Sequence, residues 1–224
     1  MEAMLSDPAC LGNQPQSAEL FDPEYWRRRG ELHEVSGGRG SAWFIASGTR
    51  QWVLRHFRRG GFIARLSKDC YVWAGESRVR AFAEWRLLKA LNEAGLPVPK
   101  PVAARYQRRG LCYRCDLITQ RIADAEPLSA VLARGALPEP QWRAVGAAIA
   151  RLHRAGADHA DLNAHNVLLD ARGTASVIDF DRGRLRPPGA WSQGNLRRLR
   201  RSLHKIGRFS EESWQWLMAG YALG

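Results

Sequence analysis

One segment restricts the folds open to this chain more than any other, namely HADLNAHNVLLDARGTASVIDFD, residues 159–181. Two short apolar runs, NVLLD and ASVIDF, flank the turn sequence ARGT and therefore predict a β-hairpin. Asp161, Asn166 and Asp179 stand beside these apolar runs. Half-buried carboxylates are costly unless a partner neutralises them, and a metal ion that carries phosphates would be such a partner.

The composition is that of a folded protein with a basic surface. The chain has 224 residues, of which 45% are hydrophobic, so it can bury a core as one domain or as two lobes. Lys and Arg number 34 against 22 Asp and Glu, a formal net charge of +12. Such a surface attracts nucleic acid, anionic lipid or a phosphorylated substrate, and charge alone does not choose among them.

Neither a signal peptide nor a membrane-spanning segment is predicted, so we expect a cytoplasmic protein. The first ten residues lack a basic start followed by an apolar core, and no run approaches the ~18 apolar residues that cross a bilayer. Cys10 and Cys70 stand alone, while Cys112 and Cys115 form a C-x-x-C. This pair lies on a predicted strand whose opposite faces it would occupy, which disfavours a zinc or redox site.

The hydrophobic pattern predicts an α+β chain in which a small sheet precedes most of the helices. Residues 1–20, rich in Ser, Gln, Pro and Asn, are expected to be a flexible leader. Over residues 30–57, alternation between glycine turns predicts two or three antiparallel strands. A helix over 78–95 follows, and then strands at about 101–107 and 111–120.

A second, mostly helical region is predicted beyond these strands. A helix over 140–156 carries one apolar stripe made of Trp142, Val145, Ile149 and Leu152. The hairpin of the opening segment comes next, and the chain ends in a helix-like stretch, EESWQWLMAGYAL. We therefore expect an N-lobe over 21–123 and a C-lobe over 124–224.

Read in order, the chain contains the parts that phosphoryl transfer requires. His159, Asp161 and Asn166 match a catalytic-loop pattern, HxDxxxxN, in which Asp161 is the candidate base and His159 braces the loop. Asn166 and Asp179 are the candidate metal ligands. Asp and Asn also commonly make helix caps and Asx turns, but the ordered set followed by a hairpin favours the catalytic interpretation.

The glycines of SGGRGS, Gly37, Gly38 and Gly40, are the candidate phosphate-binding loop. Glycine allows the backbone to approach a phosphate closely, although this run alone is more typical of an ordinary hairpin turn. Its position about fifteen residues before the strand QWVLRHF is what favours a phosphate-binding loop. Arg55 ends the strand WVLR where a kinase usually has lysine, and it would bind phosphate oxygens as a planar fork. Glu84, on the following helix, is its expected partner, and a plain surface ion pair is the alternative.

A basic and aromatic insert, residues 62–73, lies between the cation strand and the glutamate helix. Its mixture of cations with Phe, Leu, Tyr and Trp suits a lipid–water interface or an amphiphilic substrate. Packing against the neighbouring lobe is the alternative.

Several stretches together resemble the bacterial 3-deoxy-D-manno-octulosonic acid (Kdo) kinases of the lipopolysaccharide kinase family, within the protein-kinase-like superfamily. They cover about residues 20–208 and include FDPEYWRRRG, GGRGSAWF, VLRHFRRGG, ARLSKDCYVW, FAEWRLLKALNEAGLPVPKPVAAR, HADLNAHNVLLD and VIDFDRGR. HxDxxxxN and DFD occur throughout the superfamily, whereas VLRHFRRGG and the aromatic insert are more specific.

The resemblance implies a bilobal protein-kinase-like fold, with an antiparallel-sheet N-lobe plus one helix and a reduced, mostly helical C-lobe. It also implies phosphorylation, dependent on ATP and Mg²⁺, of the 4-hydroxyl of a Kdo sugar on a lipid A precursor. Asp161 would then orient the hydroxyl, Asn166 and Asp179 would hold Mg²⁺, and Arg55 with Glu84 would set the phosphates. The expected location is the cytoplasmic face of the bacterial inner membrane, on its anionic surface, with no nucleic-acid partner and no obligate protein partner.

Ala160 stands where the arginine of a regulated protein kinase would be, and no A-P-E follows DFD, so the catalytic loop is expected to be constitutively set. Two rival interpretations stay open. One is a kinase of the same fold that acts on heptose, an aminoglycoside or a protein. The other is a basic nucleic-acid-binding module with a degenerate kinase shell, which the intact set of Asp161, Asn166 and Asp179 disfavours.

Overall fold

The computed structural model describes residues 1–12, 14, 16–34, 41–58 and 69–224, which form two compact units. The first unit consists of residues 1–86 and 100–121, and the second of residues 87–99 and 122–224. An antiparallel sheet and several helices confirm the predicted α+β class. Residues 87–99, expected in the N-lobe, group with the second unit.

The first unit is built on one antiparallel sheet. Its strand order is β1-β6-β7-β4-β3-β2, and β5 pairs with β7 beside that path. The strands are β1 (Glu2–Ser6), β2 (Leu32–Glu34), β3 (Ser41–Ser47), β4 (Arg50–His56), β5 (Tyr71–Val72), β6 (Pro101–Arg109) and β7 (Cys112–Gln120). The strands predicted from alternation in residues 30–57 are thus present as β2, β3 and β4.

Residues 1–20 contain regular structure where the sequence predicts a flexible leader. Strand β1 pairs with β6, from Glu2 opposite Gln107 to Ser6 opposite Ala103. Helix α1 (Pro8–Leu11) follows, and the carboxylate of Asp7 accepts a hydrogen bond from the Ala9 N–H at 3.0 Å. Two of the three leucines in this segment, Leu11 and Leu20, are buried in the core and hold it in place.

The core of the first unit lies between the sheet and helix α2 (Pro23–Arg28). Trp26 of α2 is fully buried, meets the Trp52 ring edge-on at 5.8 Å, and donates its indole N–H to the Leu20 carbonyl at 2.8 Å. Helix α3 (Arg80–Glu93) ends before Gly95, whose φ of 69° is the left-handed conformation of a helix cap. Its predicted apolar stripe is buried, as Phe82, Trp85, Leu88 and Leu91.

The second unit is mostly helical. Its helices are α4 (Leu128–Arg134), α5 (Glu139–Arg154), α6 (Trp191–His204) and α7 (Glu211–Leu223). Its short strands are β8 (Ala125–Pro127), β9 (Ala157–Asp158), β10 (Val167–Asp170), β11 (Ala175–Val177) and β12 (Arg184–Leu185). The predicted hairpin is present as β10 and β11, with Val167 opposite Val177.

Helices α5 and α7 pack closely because a glycine on each removes the side chain at the contact. A Cβ on Gly146 would overlap the Leu217 carbonyl, and one on Gly220 would overlap the Arg143 carbonyl. The predicted apolar stripe of α5 is buried. Within the part of the chain that the structure describes, no helix is both long enough and apolar enough to span a bilayer.

The cysteines pair differently from the sequence expectation. Cys70, expected to stand alone, forms a disulfide with Cys112, with Cα atoms 5.6 Å apart. Cys115 is buried, and this burial raises its thiol pKa to about 12. The partner of Cys112 is therefore a distant residue in the sequence and not the other cysteine of its C-x-x-C.

Candidate active site

His159 follows β9 and is buried, and its main-chain N–H and both ring nitrogens are engaged. Its main-chain N–H donates to the Asn195 side-chain oxygen at 3.0 Å, and Nε2 lies 2.9 Å from the Ile178 carbonyl. Nδ1 accepts the Asp161 main-chain N–H at 3.1 Å, so the ring proton resides on Nε2. Burial lowers the pKa of His159, which keeps the ring neutral. This histidine is arranged to brace the loop rather than to carry a proton.

Asp161 presents its carboxylate to solvent, with 69% of the side chain exposed. Its backbone is fixed, because the buried Asn166 donates its side-chain amide to the Asp161 carbonyl at 3.0 Å. Asn163 donates to the carboxylate at 3.1 Å, and Arg198 Nε lies 4.0 Å from its other oxygen. The loop thus combines a rigid backbone with an accessible carboxylate.

Asp179 lies two residues after the end of strand β11, the second strand of the hairpin. The N–H of its neighbour Ile178 donates to the Asn166 carbonyl at 2.9 Å, which brings this stretch and Asn166 together. Asp179 has a φ of 62°, a conformation that residues with a Cβ adopt at a cost and that is common at functional sites. The next residue, Phe180, is buried, with its ring 4.7 Å from the His159 ring.

Helix α6 holds the catalytic loop at two points that the sequence did not reveal. Asn195 is only 3% exposed, and besides accepting from His159 it donates to the Asp158 carboxylate at 3.0 Å. Two turns later, the Ser202 hydroxyl oxygen accepts the Ala164 N–H at 3.1 Å. In the sequence, the signal for these contacts is a polar residue, Asn195, that lies beside the leucines of α6. The many arginines around it make the helix hard to recognise.

The carboxylate of Asp158 is stabilised in its charged form. Burial opposes its ionisation, but the Asn195 hydrogen bond and the Arg186 guanidinium, 3.1 Å away, outweigh burial, and its pKa is lowered. Asn195 therefore sits between a fixed negative charge and the first residue of the loop. This arrangement orients the amide, with its nitrogen toward Asp158 and its oxygen toward His159.

In the first unit, Arg55 of β4 forms the predicted ion pair with Glu84 of α3. Glu84 is only 3% exposed, and the Arg55 guanidinium also lies 4.6 Å from the Phe57 ring centre. This is a largely buried pair and not the surface ion pair of the alternative interpretation. The candidate loop glycines, Gly37, Gly38 and Gly40, lie outside the described residues, as do residues 62–68 of the insert.

Comparison with known proteins gives one consistent family. The model of the lipopolysaccharide kinase (Kdo/WaaP) family matches residues 23–221. A protein of Stenotrophomonas maltophilia (strain R551-3) named 3-deoxy-D-manno-octulosonic acid kinase is 50% identical over 193 residues, covering 84% of this chain and 76% of the relative. Proteins of the same name from Xanthomonas axonopodis pv. citri (strain 306) and Xylella fastidiosa (strain 9a5c) are 49% and 50% identical, covering 84% of this chain and 76% and 75% of the relatives.

Proposed function

Since this chain belongs to the lipopolysaccharide kinase (Kdo/WaaP) family, we propose that it phosphorylates the 4-hydroxyl of a Kdo sugar on a Kdo-bearing lipid A precursor, with ATP as donor. The chain is a phosphotransferase with an alcohol acceptor. About half of the residues are identical to those of proteins named Kdo kinase. This identity is the reason for proposing Kdo as the acceptor, and not heptose, an aminoglycoside or a protein.

Asp161 is proposed to receive and orient the acceptor hydroxyl. Its carboxylate is exposed, so a substrate can reach it, and it accepts a hydrogen bond from Asn163. Asn166 limits the movement of the backbone by donating to the Asp161 main-chain carbonyl. A carboxylate on a fixed loop can align the attacking oxygen and accept its proton as the bond to phosphorus forms. The neutral His159 supports the loop and takes no proton in this scheme.

Asn166 and Asp179 are proposed to hold Mg²⁺. Both supply the oxygen ligands that this cation prefers, and the Ile178–Asn166 hydrogen bond brings their chain segments together. Because the Asn166 nitrogen donates to the Asp161 carbonyl, its side-chain oxygen is the end that would face the cation. The metal would neutralise charge on the phosphates during transfer.

Arg55 is proposed to bind the phosphates of ATP, and Glu84 to hold Arg55 in place. The guanidinium stays charged at all relevant pH values and offers planar, paired donors to phosphate oxygens. The ion pair with the buried Glu84 restricts the orientation of this fork. Gly37, Gly38 and Gly40 remain the proposed phosphate-binding loop on sequence grounds.

The acceptor carries phosphates, a carboxylate and acyl chains, which fits a chain of net charge +12. We place the reaction at the cytoplasmic face of the bacterial inner membrane, where the enzyme is peripheral. Neither a nucleic acid nor an obligate protein partner is part of this proposal.

Purified protein incubated with labelled ATP, Mg²⁺ and Kdo-bearing lipid A precursor tests the proposal. We expect label on the Kdo 4-hydroxyl, and Asp161→Asn to lower turnover by about 10²–10⁴-fold while the fold is kept. Glu212→Gln, an exposed carboxylate on α7, is the matched control and should be fully active. Transfer to another acceptor but not to Kdo would refute the assignment, and near-normal turnover of Asp161→Asn would refute the mechanism.

A further inference from the structure

Two exposed apolar side chains lie together at one end of the sheet in the first unit. In the described residues, the large hydrophobic side chains that are mostly exposed are Met1, Val72, Leu111, Leu185 and Leu223. Leu111, 81% exposed, lies in the turn between β6 and β7, and its carbonyl accepts the Trp73 N–H at 2.8 Å. Val72, 70% exposed, pairs with Cys112, the next residue of the chain after Leu111.

Arginines surround these two side chains. Arg109 lies opposite Cys112 in the β6–β7 register, and Arg114 shares the face of Cys112 because it is two residues further along the strand. The Arg108 guanidinium lies 4.7 Å from the centre of the Trp73 ring, and its Nε donates to the Gly110 carbonyl at 2.9 Å. Asp69 contacts Arg114 at 2.9 Å and offsets part of this positive charge.

This group of residues, Val72, Arg108, Arg109, Leu111 and Arg114, is called the basic tip below. Its support is rigid, since the rings beneath it form a connected cluster. Trp73 packs on Tyr106 with ring centres 5.1 Å apart, and Tyr71 on Tyr113 at 5.6 Å. Cys70, directly before β5, also lies beside Cys112 of β7, with their Cα atoms 5.6 Å apart. The exposed side chains are therefore held outward by packed structure.

We propose that the basic tip is the surface through which the protein contacts an anionic phospholipid bilayer. Leu111 and Val72 would enter the boundary between headgroups and acyl chains, while the arginines bind lipid phosphates at headgroup level. The excess of positive charge around a small apolar pair matches this partner by charge complementarity.

Binding of the full chain to vesicles tests the basic tip without any acceptor. Wild-type protein should sediment with phosphatidylcholine vesicles that contain roughly one third phosphatidylglycerol, and much less with phosphatidylcholine alone. The double variant Val72→Ser/Leu111→Ser should weaken this binding by about tenfold or more, and Arg109→Gln by about fivefold. Leu185→Ser, at a 53% exposed leucine of the second unit, is the matched control and should bind as wild type.

Three results would overturn the inference: equal binding by the tip variants and wild type, equal binding to neutral and anionic vesicles, or binding to RNA in place of vesicles. This inference rests on the proposed function, because the proposed acceptor is a membrane lipid. The basic tip and the proposed function can nevertheless be refuted separately. If detergent-solubilised Kdo acceptor is phosphorylated and the tip variants bind vesicles normally, only the basic tip is refuted. If the vesicle results hold and no Kdo acceptor is phosphorylated, only the proposed function is refuted.

Discussion

The side-chain oxygen of Asn195 accepts a hydrogen bond of 3.0 Å from the main-chain N–H of His159, and so ties the start of the catalytic loop to helix α6. The other end of the same amide donates to Asp158. Both ends of a buried amide are thereby satisfied, and its removal leaves a buried N–H and a buried carboxylate without this partner. Asn195 is in our interpretation a positioning residue for Asp161, two residues beyond His159.

We expect Asn195→Ala to lower stability by about 1–3 kcal/mol and also to lower kcat, with little change in the KM for ATP. Asn195→Asp separates the two hydrogen bonds, because a carboxylate still accepts from His159 but repels Asp158. Chemical denaturation and steady-state kinetics measure both effects, with Gln193→Ala on the exposed side of the same helix as the control. Lost stability with an unchanged kcat well below the melting temperature would make the role of Asn195 purely structural.

Asn166 has two proposed tasks that can be separated by substitution. Asn166→Ala removes both the hydrogen bond to the Asp161 carbonyl and the proposed oxygen ligand. We expect the Mg²⁺ concentration for half-maximal rate to rise by about tenfold or more. Asn163→Ala, which removes a contact to the Asp161 carboxylate but no proposed ligand, should lower the rate without changing the Mg²⁺ dependence. An unchanged Mg²⁺ dependence in Asn166→Ala would exclude it as a ligand.

The Arg55–Glu84 pair should matter for both stability and ATP binding. Breaking a fully buried ion pair costs about 3–5 kcal/mol, and because the Arg55 side chain is 26% exposed we expect a smaller loss for Glu84→Gln, near the lower end of this range or below it. The KM for ATP should rise as well, since Arg55 loses its fixed orientation. Glu93→Gln breaks the exposed pair with Lys89 on the same helix and should cost less than about 1 kcal/mol. Equal effects of the two variants would refute a special role for Arg55–Glu84.

The elements that were predicted from the sequence are those with a clear hydrophobic periodicity or a clear terminating residue. Helix α5 shows one apolar stripe and stops before Gly156, and the β10–β11 hairpin brackets a short polar turn. The pairing of Arg55 with Glu84 followed from the order of motifs along the chain. In each case local sequence and tertiary packing favour the same conformation.

Other features depend on contacts between residues far apart in the sequence. Strand β1, EAMLS, shows no alternation of apolar and polar residues, and it becomes a strand because the edge of β6 offers hydrogen-bond partners. Helix α6 is so rich in arginine that its buried leucines, Leu196, Leu199 and Leu203, are hard to recognise as a stripe. The role of Asn195 and the pairing of Cys70 with Cys112 require the fold itself, because no local pattern announces either contact.

His56 makes the stability of the protein depend on pH in a predictable direction. Its Nδ1 lies 2.6 Å from Asp116 and its Nε2 lies 3.4 Å from Asp69, and the Asp116 hydrogen bond, against the opposing effect of burial, raises the pKa of His56 above its usual 6.5. The stabilisation is therefore complete below pH 6.5 and is lost as the pH rises through the raised pKa. The free energy of unfolding of His56→Gln, measured by chemical denaturation from about pH 6 to about pH 9, should approach that of wild type as the pH increases. His33→Gln, at an exposed histidine, is the control. A difference between wild type and His56→Gln that stays constant with pH would contradict the charged pair.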